Sequence, residues 1–159
     1  MSIDFDLENP RVAEFLDEKV MKFANEVNST TIDNLKEQLI EGVQAGEGIP
    51  ELRRRVQKVF KDATTWRANT VARTEVVGSS NFANNESLIQ SGIVKSKTWL
   101  TSLDGRERNA HRDANNQTVD VDKPFIVMGE ELMYPGDYHG RPENIINCRG
   151  TLYASEFTE

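Results

Sequence analysis

The feature that most restricts the fold is a change of texture at Gly92: apolar residues recur at helical spacing before it and in short, partly alternating runs after it. One element cannot serve both periods, so the chain divides into a helical half and a strand-and-loop half. Asn9-Pro10 reads as an N-cap with Pro at the first helical position, and Val12, Phe15, Leu16, Phe23 and Val27 then mark one apolar face. Ser29-Thr30-Thr31 breaks that helix, and Thr30 with Asp33 forms a capping box for the next. The apolar face of this second helix is Ile32, Leu35, Leu39, Ile40 and Val43, and Gly46-Glu47-Gly48 stops it. Ile49-Pro50 restarts the chain, and Leu52, Val56, Val59 and Phe60 give a third helix. Asp62 caps a fourth, which carries Trp66, Val71, Ala72, Val76, Phe82 and Leu88 and ends at Gly92.

That fourth helix is rich in Ser79, Ser80, Asn81, Asn84 and Asn85, all poor helix formers, so something beyond local propensity selects them. After Gly92, residues 93–100 read as a half-buried strand and Asp104-Gly105 as a turn. Residues 107–114 read as a short helix, 119–121 and 125–128 as short strands, Tyr134-Pro135-Gly136-Asp137 as a turn, and 151–154 as a last strand. The expected class is α+β: a helical N-terminal half packed on a small, irregular antiparallel or mixed sheet. Residues 1–62 are expected as a helical segment and 63–159 as a domain, the two forming one continuous unit.

A chain of 159 residues buries roughly 68–70% of its unfolded surface, enough for a core without staples. Its single cysteine, Cys148, forms no internal disulfide. No apolar run approaches the roughly 20 residues a membrane helix needs, and Met1-Ser2-Ile3-Asp4 does not open a signal peptide. A net charge of −7 argues against a protein that coats nucleic acid, while Arg53-Arg54-Arg55 and Arg106, Arg108 and Arg112 leave room for local basic patches.

His111, His139 and Cys148, with Asp104, Asp113 and Asp137 near in sequence, are the candidate metal ligands, but they lack paired spacing, and no metal or cofactor is expected. Cys148 beside Arg149, with His111 as base, is a weak nucleophile pattern; its plainer reading is a small buried hydrophobe. Arg73 and Glu75, with Asp104, Arg106, Arg108 and His111, form a polar constellation with two readings. One is an ion-pair network tying the long helix to the loop after the first strand. The other is a polar cleft for an anionic ligand, with His111 titrating near neutrality. The Arg53-Arg54-Arg55 run splays around a helix and reads as a solvated face.

The order of the pieces carries more than any one of them. Ala72-Arg73-Thr74-Glu75, Gly92 before a strand with Lys97 and Trp99, then Asp104, Arg106, Arg108 and His111, then Pro124-Phe125, Tyr134-Pro135-Gly136-Asp137 and Asn147-Cys148-Arg149 resemble the phage head morphogenesis domain of the phage Mu protein F-like minor head proteins. The resemblance runs over roughly residues 30–154. It implies a minor component of a tailed-phage head, located in the virion and, during assembly, in the host cytoplasm. The implied partners are the portal and major capsid proteins, and in some phages packaged DNA, with no membrane. Relatives with a terminal Cys-Arg-Cys and an upstream CxxC would gather a metal cluster; here the second Cys position is Gly150 and the upstream stretch is RERNAH. The alternative from another class is an intravirion enzyme of nuclease or ADP-ribosyltransferase type, using Arg73, Glu75, Asp104, Arg106 and His111 as a catalytic set.

Overall fold

The computed structural model describes residues 9–15, 18, 29–60 and 65–158. The fold is α+β, and the described residues form two compact units that divide between Val76 and Val77, inside one long helix.

In the first unit α1 is described at residues 10–15 and 18, and Asn9 caps it: its side-chain oxygen accepts the Arg11 amide at 3.0 Å. Val12 and Phe15 are buried, whereas Leu16, Phe23 and Val27 lie outside the described residues. Helix α2 (Ser29–Gln44) already contains Ser29 and Thr30, so Thr30 is not its N-cap; tolerance of Ser and Thr within a first turn overrides the capping signal. Its C-terminus follows expectation. Gly46 is left-handed (φ 72°), and the Gly46 and Glu47 amides return to the Val43 and Gly42 carbonyls.

Helix α3 (Ile49–Val59) packs on α2 through Leu52 and Val56, which with Leu35, Ala68 and Ala72 form the core of this unit. The packing face of α2 is Leu35, Leu39 and Gly42, where a Cβ on Gly42 would lie 2.5 Å from Leu52 Cδ2. Ile40 and Val43, expected on that face, are 56% and 53% exposed: the close approach at Gly42 rotates them outward. The arginine run is largely committed. Arg55 grips Glu47 with both ends of its fork (2.7 and 2.9 Å) and reaches Glu41 at 2.9 Å, and Arg54 meets Glu51 at 2.6 Å.

Arg55 holds the Glu47 carboxyl below its ordinary 4.5, against desolvation, which pushes it up. A lowered folded-state value means this contribution is complete above the ordinary pKa and is lost as pH falls through the lowered one. Glu47→Gln should therefore flatten the acid limb of the stability-versus-pH curve; identical acid limbs for wild type and variant would refute the assignment.

Helix α4 (Thr65–Gln90) continues into the second unit, where strand β1 (Val94–Leu100) is the centre of an antiparallel sheet of order β2-β1-β5, with β2 at Thr118–Asp120 and β5 at Thr151–Phe157. β1 is not half-buried as its alternation suggests: Ser96, Lys97, Thr98 and Trp99 are all buried, Lys97 and Trp99 on one face against Asn85, Phe125 and His111, and Thr98 on the other between Thr118 and Ser155 of the flanking strands. A second ladder joins β3 (Phe125–Val127) to β4 (Glu130–Leu132) across Met128-Gly129, both with positive φ. Short helices α5 (Asn109–Ala114) and α6 (Pro142–Ile145) complete the unit.

The asparagines of α4 now have an explanation. Asn81 donates to the carbonyls of Pro135 (2.8 Å) and Gly150 (2.9 Å) and accepts from Thr151 Oγ1 (3.0 Å), while Asn84 donates to the Leu152 carbonyl (2.8 Å). Leu152 faces Trp99 in register, and Trp99 directs its own amide and carbonyl to Gln117 and Asn116, so the Leu152 main chain points away from β1. These side chains satisfy polar backbone that no strand reaches. Close approach is secured at Gly78, whose absent Cβ would stand 3.0 Å from the Gly136 carbonyl; Gly136 itself is left-handed at φ 81°.

Candidate functional site

The site lies where β1 runs out. The Trp99 indole donates to Thr101 Oγ1 (3.0 Å), and Thr101 Oγ1 donates to the His111 carbonyl (2.7 Å), tying the end of β1 to α5. Between them the loop is folded by Asp104, whose Oδ1 accepts the Arg106 amide at 3.1 Å, with Gly105 at φ 78°. The Arg108 carbonyl receives the His111 and Arg112 amides and so starts α5. The opposite wall is the Asn147-Cys148-Arg149-Gly150 stretch, with Asn147 left-handed at φ 57°.

These segments border a shallow, open cleft lined by Arg106, Glu107, Arg108, His111, Asn147 and Arg149. His111 is 2% exposed, stacked edge-on against Trp99 (5.6 Å), which in turn meets Phe125 edge-on (5.3 Å). Its Nδ1 stands 3.7 Å from Cys148 Sγ. Burial, then the charge of Arg108, pushes the His111 pKa down, and burial pushes the Cys148 thiol up. Both shifts favour neutral forms, a thiol beside an imidazole, which is the reverse of the thiolate–imidazolium pair a cysteine nucleophile needs. Cys148 is a free cysteine, 1% exposed.

Of the residues the sequence singled out, Asp104, Arg106, Arg108, His111, Asn147 and Arg149 come together here. Asp104 meets Arg149 at 3.4 Å, and Arg108 donates to the Ile146 carbonyl. Trp99 and Phe125 form the apolar backing, with Pro124 leading into β3. Pro135, Gly136 and Asp137 sit in the turn against Gly78 and Asn81, where the buried Asp137 carboxylate accepts the Met133 (2.8 Å) and His139 (3.1 Å) amides. Arg73 and Glu75 lie on α4 in the first unit.

Sequence reasoning passed over Glu107, whose nearly buried carboxylate takes both ends of the Arg112 fork (3.0 and 2.7 Å). It also passed over the burial of Lys97. That side chain is fully buried, donating to Asn85 Oδ1 (2.7 Å) and the Met133 carbonyl (2.9 Å) with its ammonium 5.3 Å above the Phe125 ring.

The chain matches the model for "Phage Mu protein F like protein" over residues 33–153. It belongs to that family. The match takes in most of α2, all of α3 and the segments that border the cleft. Among curated relatives it is 27% identical over 158 residues to "Uncharacterized protein YqbB" of Bacillus subtilis (strain 168), covering 94% of this chain and 50% of the relative. It is 29% identical over 125 residues to "Minor head protein GP7" of Bacillus phage SPP1, covering 76% of this chain and 40% of the relative. The chain thus spans about half the length, or less, of these relatives. No solved structure matches.

The metal cluster that some relatives' cysteines would form does not fit here. Among the described residues no three His, Cys, Asp or Glu side chains gather, and a Cβ at Gly150 would crowd Pro135 Cβ at 3.1 Å. No helix of the described residues is long and apolar enough to cross a membrane.

Proposed function

We propose that this family member is a minor head protein of a tailed bacteriophage, acting in head assembly at or near the portal, with the portal and major capsid proteins as partners. The observation that carries the reading is the match, over 76% of this chain, to a protein named as a minor head protein in Bacillus phage SPP1. Its working location is then the virion, reached from the host cytoplasm where heads assemble, with packaged DNA within reach. The helical unit is the docking element: Ile40 and Val43, both more than half exposed and one turn apart, make an apolar stripe that its own core leaves uncovered.

The test is co-purification with the portal protein of the same phage, followed by size-exclusion chromatography with light scattering. A stable complex is expected, and the double variant Ile40→Glu/Val43→Glu should lose it at unchanged helical content. A wild-type chain that elutes as a free species beside portal would sink the proposal. A double variant that still binds would remove α2 as the docking face.

A further inference from the structure

The charges around the cleft do not cancel. Arg106 is exposed and forms no ion pair among the described residues; Arg108 gives its guanidinium to a neutral carbonyl, that of Ile146. Arg149 has only a long, 3.4 Å contact to Asp104. The Glu107 carboxylate, the acid on the cleft wall, is already taken by the Arg112 fork. Three guanidiniums, those of Arg106, Arg108 and Arg149, therefore line the cleft beside the one carboxylate of Glu107, which Arg112 already pairs, in a chain whose net charge is −7. Cations gathered at one spot against the overall charge repel one another unless an anion from outside joins them.

Chemistry selects the anion. Guanidinium edges offer paired N–H donors in a fixed plane. A carboxylate is filled by one such fork, whereas a phosphate presents oxygens in several directions and accepts from several forks. The wall behind them is rigid, with His111 held between Trp99 and Cys148 and the Arg108 carbonyl fixed as the start of α5. We infer that the cleft between the DGRERNAH loop and Asn147–Gly150 is a phosphate-binding site, with Arg106, Arg108 and Arg149 as its donors. The phosphate comes either from a nucleic-acid backbone or from a free nucleotide. The inference does not depend on portal docking.

The test uses the full chain without portal, as wild type, as Arg106→Glu, and as Lys36→Glu, which makes the same charge change on α2. Each is titrated with inorganic phosphate, a mononucleotide and a short DNA duplex of arbitrary sequence. Amide shifts report binding at Arg106–His111 and Asn147–Gly150. Phosphate-bearing probes should shift these amides in wild type and Lys36→Glu and lose about tenfold in affinity in Arg106→Glu. Duplex binding whose salt slope drops by about one in Arg106→Glu identifies the backbone as the source. Binding of nucleotide and phosphate without duplex identifies the free ligand. No shift with any of the three probes overturns the site, as does an equal loss in Arg106→Glu and Lys36→Glu, which would mean diffuse attraction only. Arg106→Glu should still capture portal, so a failed cleft and a failed docking surface read out separately.

Discussion

Lys97→Ala is expected to lower the free energy of unfolding by about 3–5 kcal/mol, enough to unfold a marginal domain at physiological temperature. Lysine is almost never fully buried unless its ammonium is matched, and here Asn85 Oδ1, the Met133 carbonyl and the face of Phe125 do the matching. Truncation leaves two acceptors desolvated and opens a void beside Phe125 and Trp99. Lys97→Met separates the contributions. It keeps the volume and abandons the hydrogen bonds, so its loss should be roughly the 1–3 kcal/mol of stranded acceptors. Urea unfolding followed by circular dichroism measures both. A loss under about 1 kcal/mol for Lys97→Ala would show that the buried ammonium is not structural.

Asn81→Ala should cost about 2–4 kcal/mol, because one side chain serves the carbonyls of Pro135 and Gly150 and the Thr151 hydroxyl together. Local propensity pulls the other way: alanine gains at most about 0.7 kcal/mol over asparagine within a helix. The sign of the measured change decides which effect governs this helix. Asn84→Ala loses one partly buried contact, to Leu152, and should cost on the order of 1 kcal/mol. If both substitutions stabilise the protein, the tertiary account of these asparagines is wrong.

The longer helices and the α+β class were legible in the sequence. Asn9-Pro10 and Gly46 announced helix ends that the structure keeps, because capping is a local matter of a few residues. The outward turn of Ile40 and Val43 was not legible, since it depends on how closely α3 approaches Gly42. Asn81 and Asn84 of α4 were visible as an anomaly but not as an explanation: their partners stand 54 to 70 residues away. Strand β4 escaped because Glu130-Glu131 give it no alternating apolar residues, and helix α6 because a single four-residue turn shows no helical period. In the cleft, Arg106, Arg108 and His111 clustered on the page, whereas Glu107 gave no signal apart from the general tendency of charges to be exposed. Its burial is set by the Asp104 turn and by Arg112 on the neighbouring helix.

The asparagine contacts along β5 have a further consequence, for how copies of the chain behave in a crowded particle. An outer strand normally offers a row of unused carbonyls and amides, an open template for another chain's strand. Here the Gly150 and Leu152 carbonyls are already occupied by side chains of the same molecule. A strand arriving from a neighbour would have to evict Asn81 and Asn84 before forming its first bonds. The start of β5 is therefore closed to a neighbour's strand by the chain's own side chains.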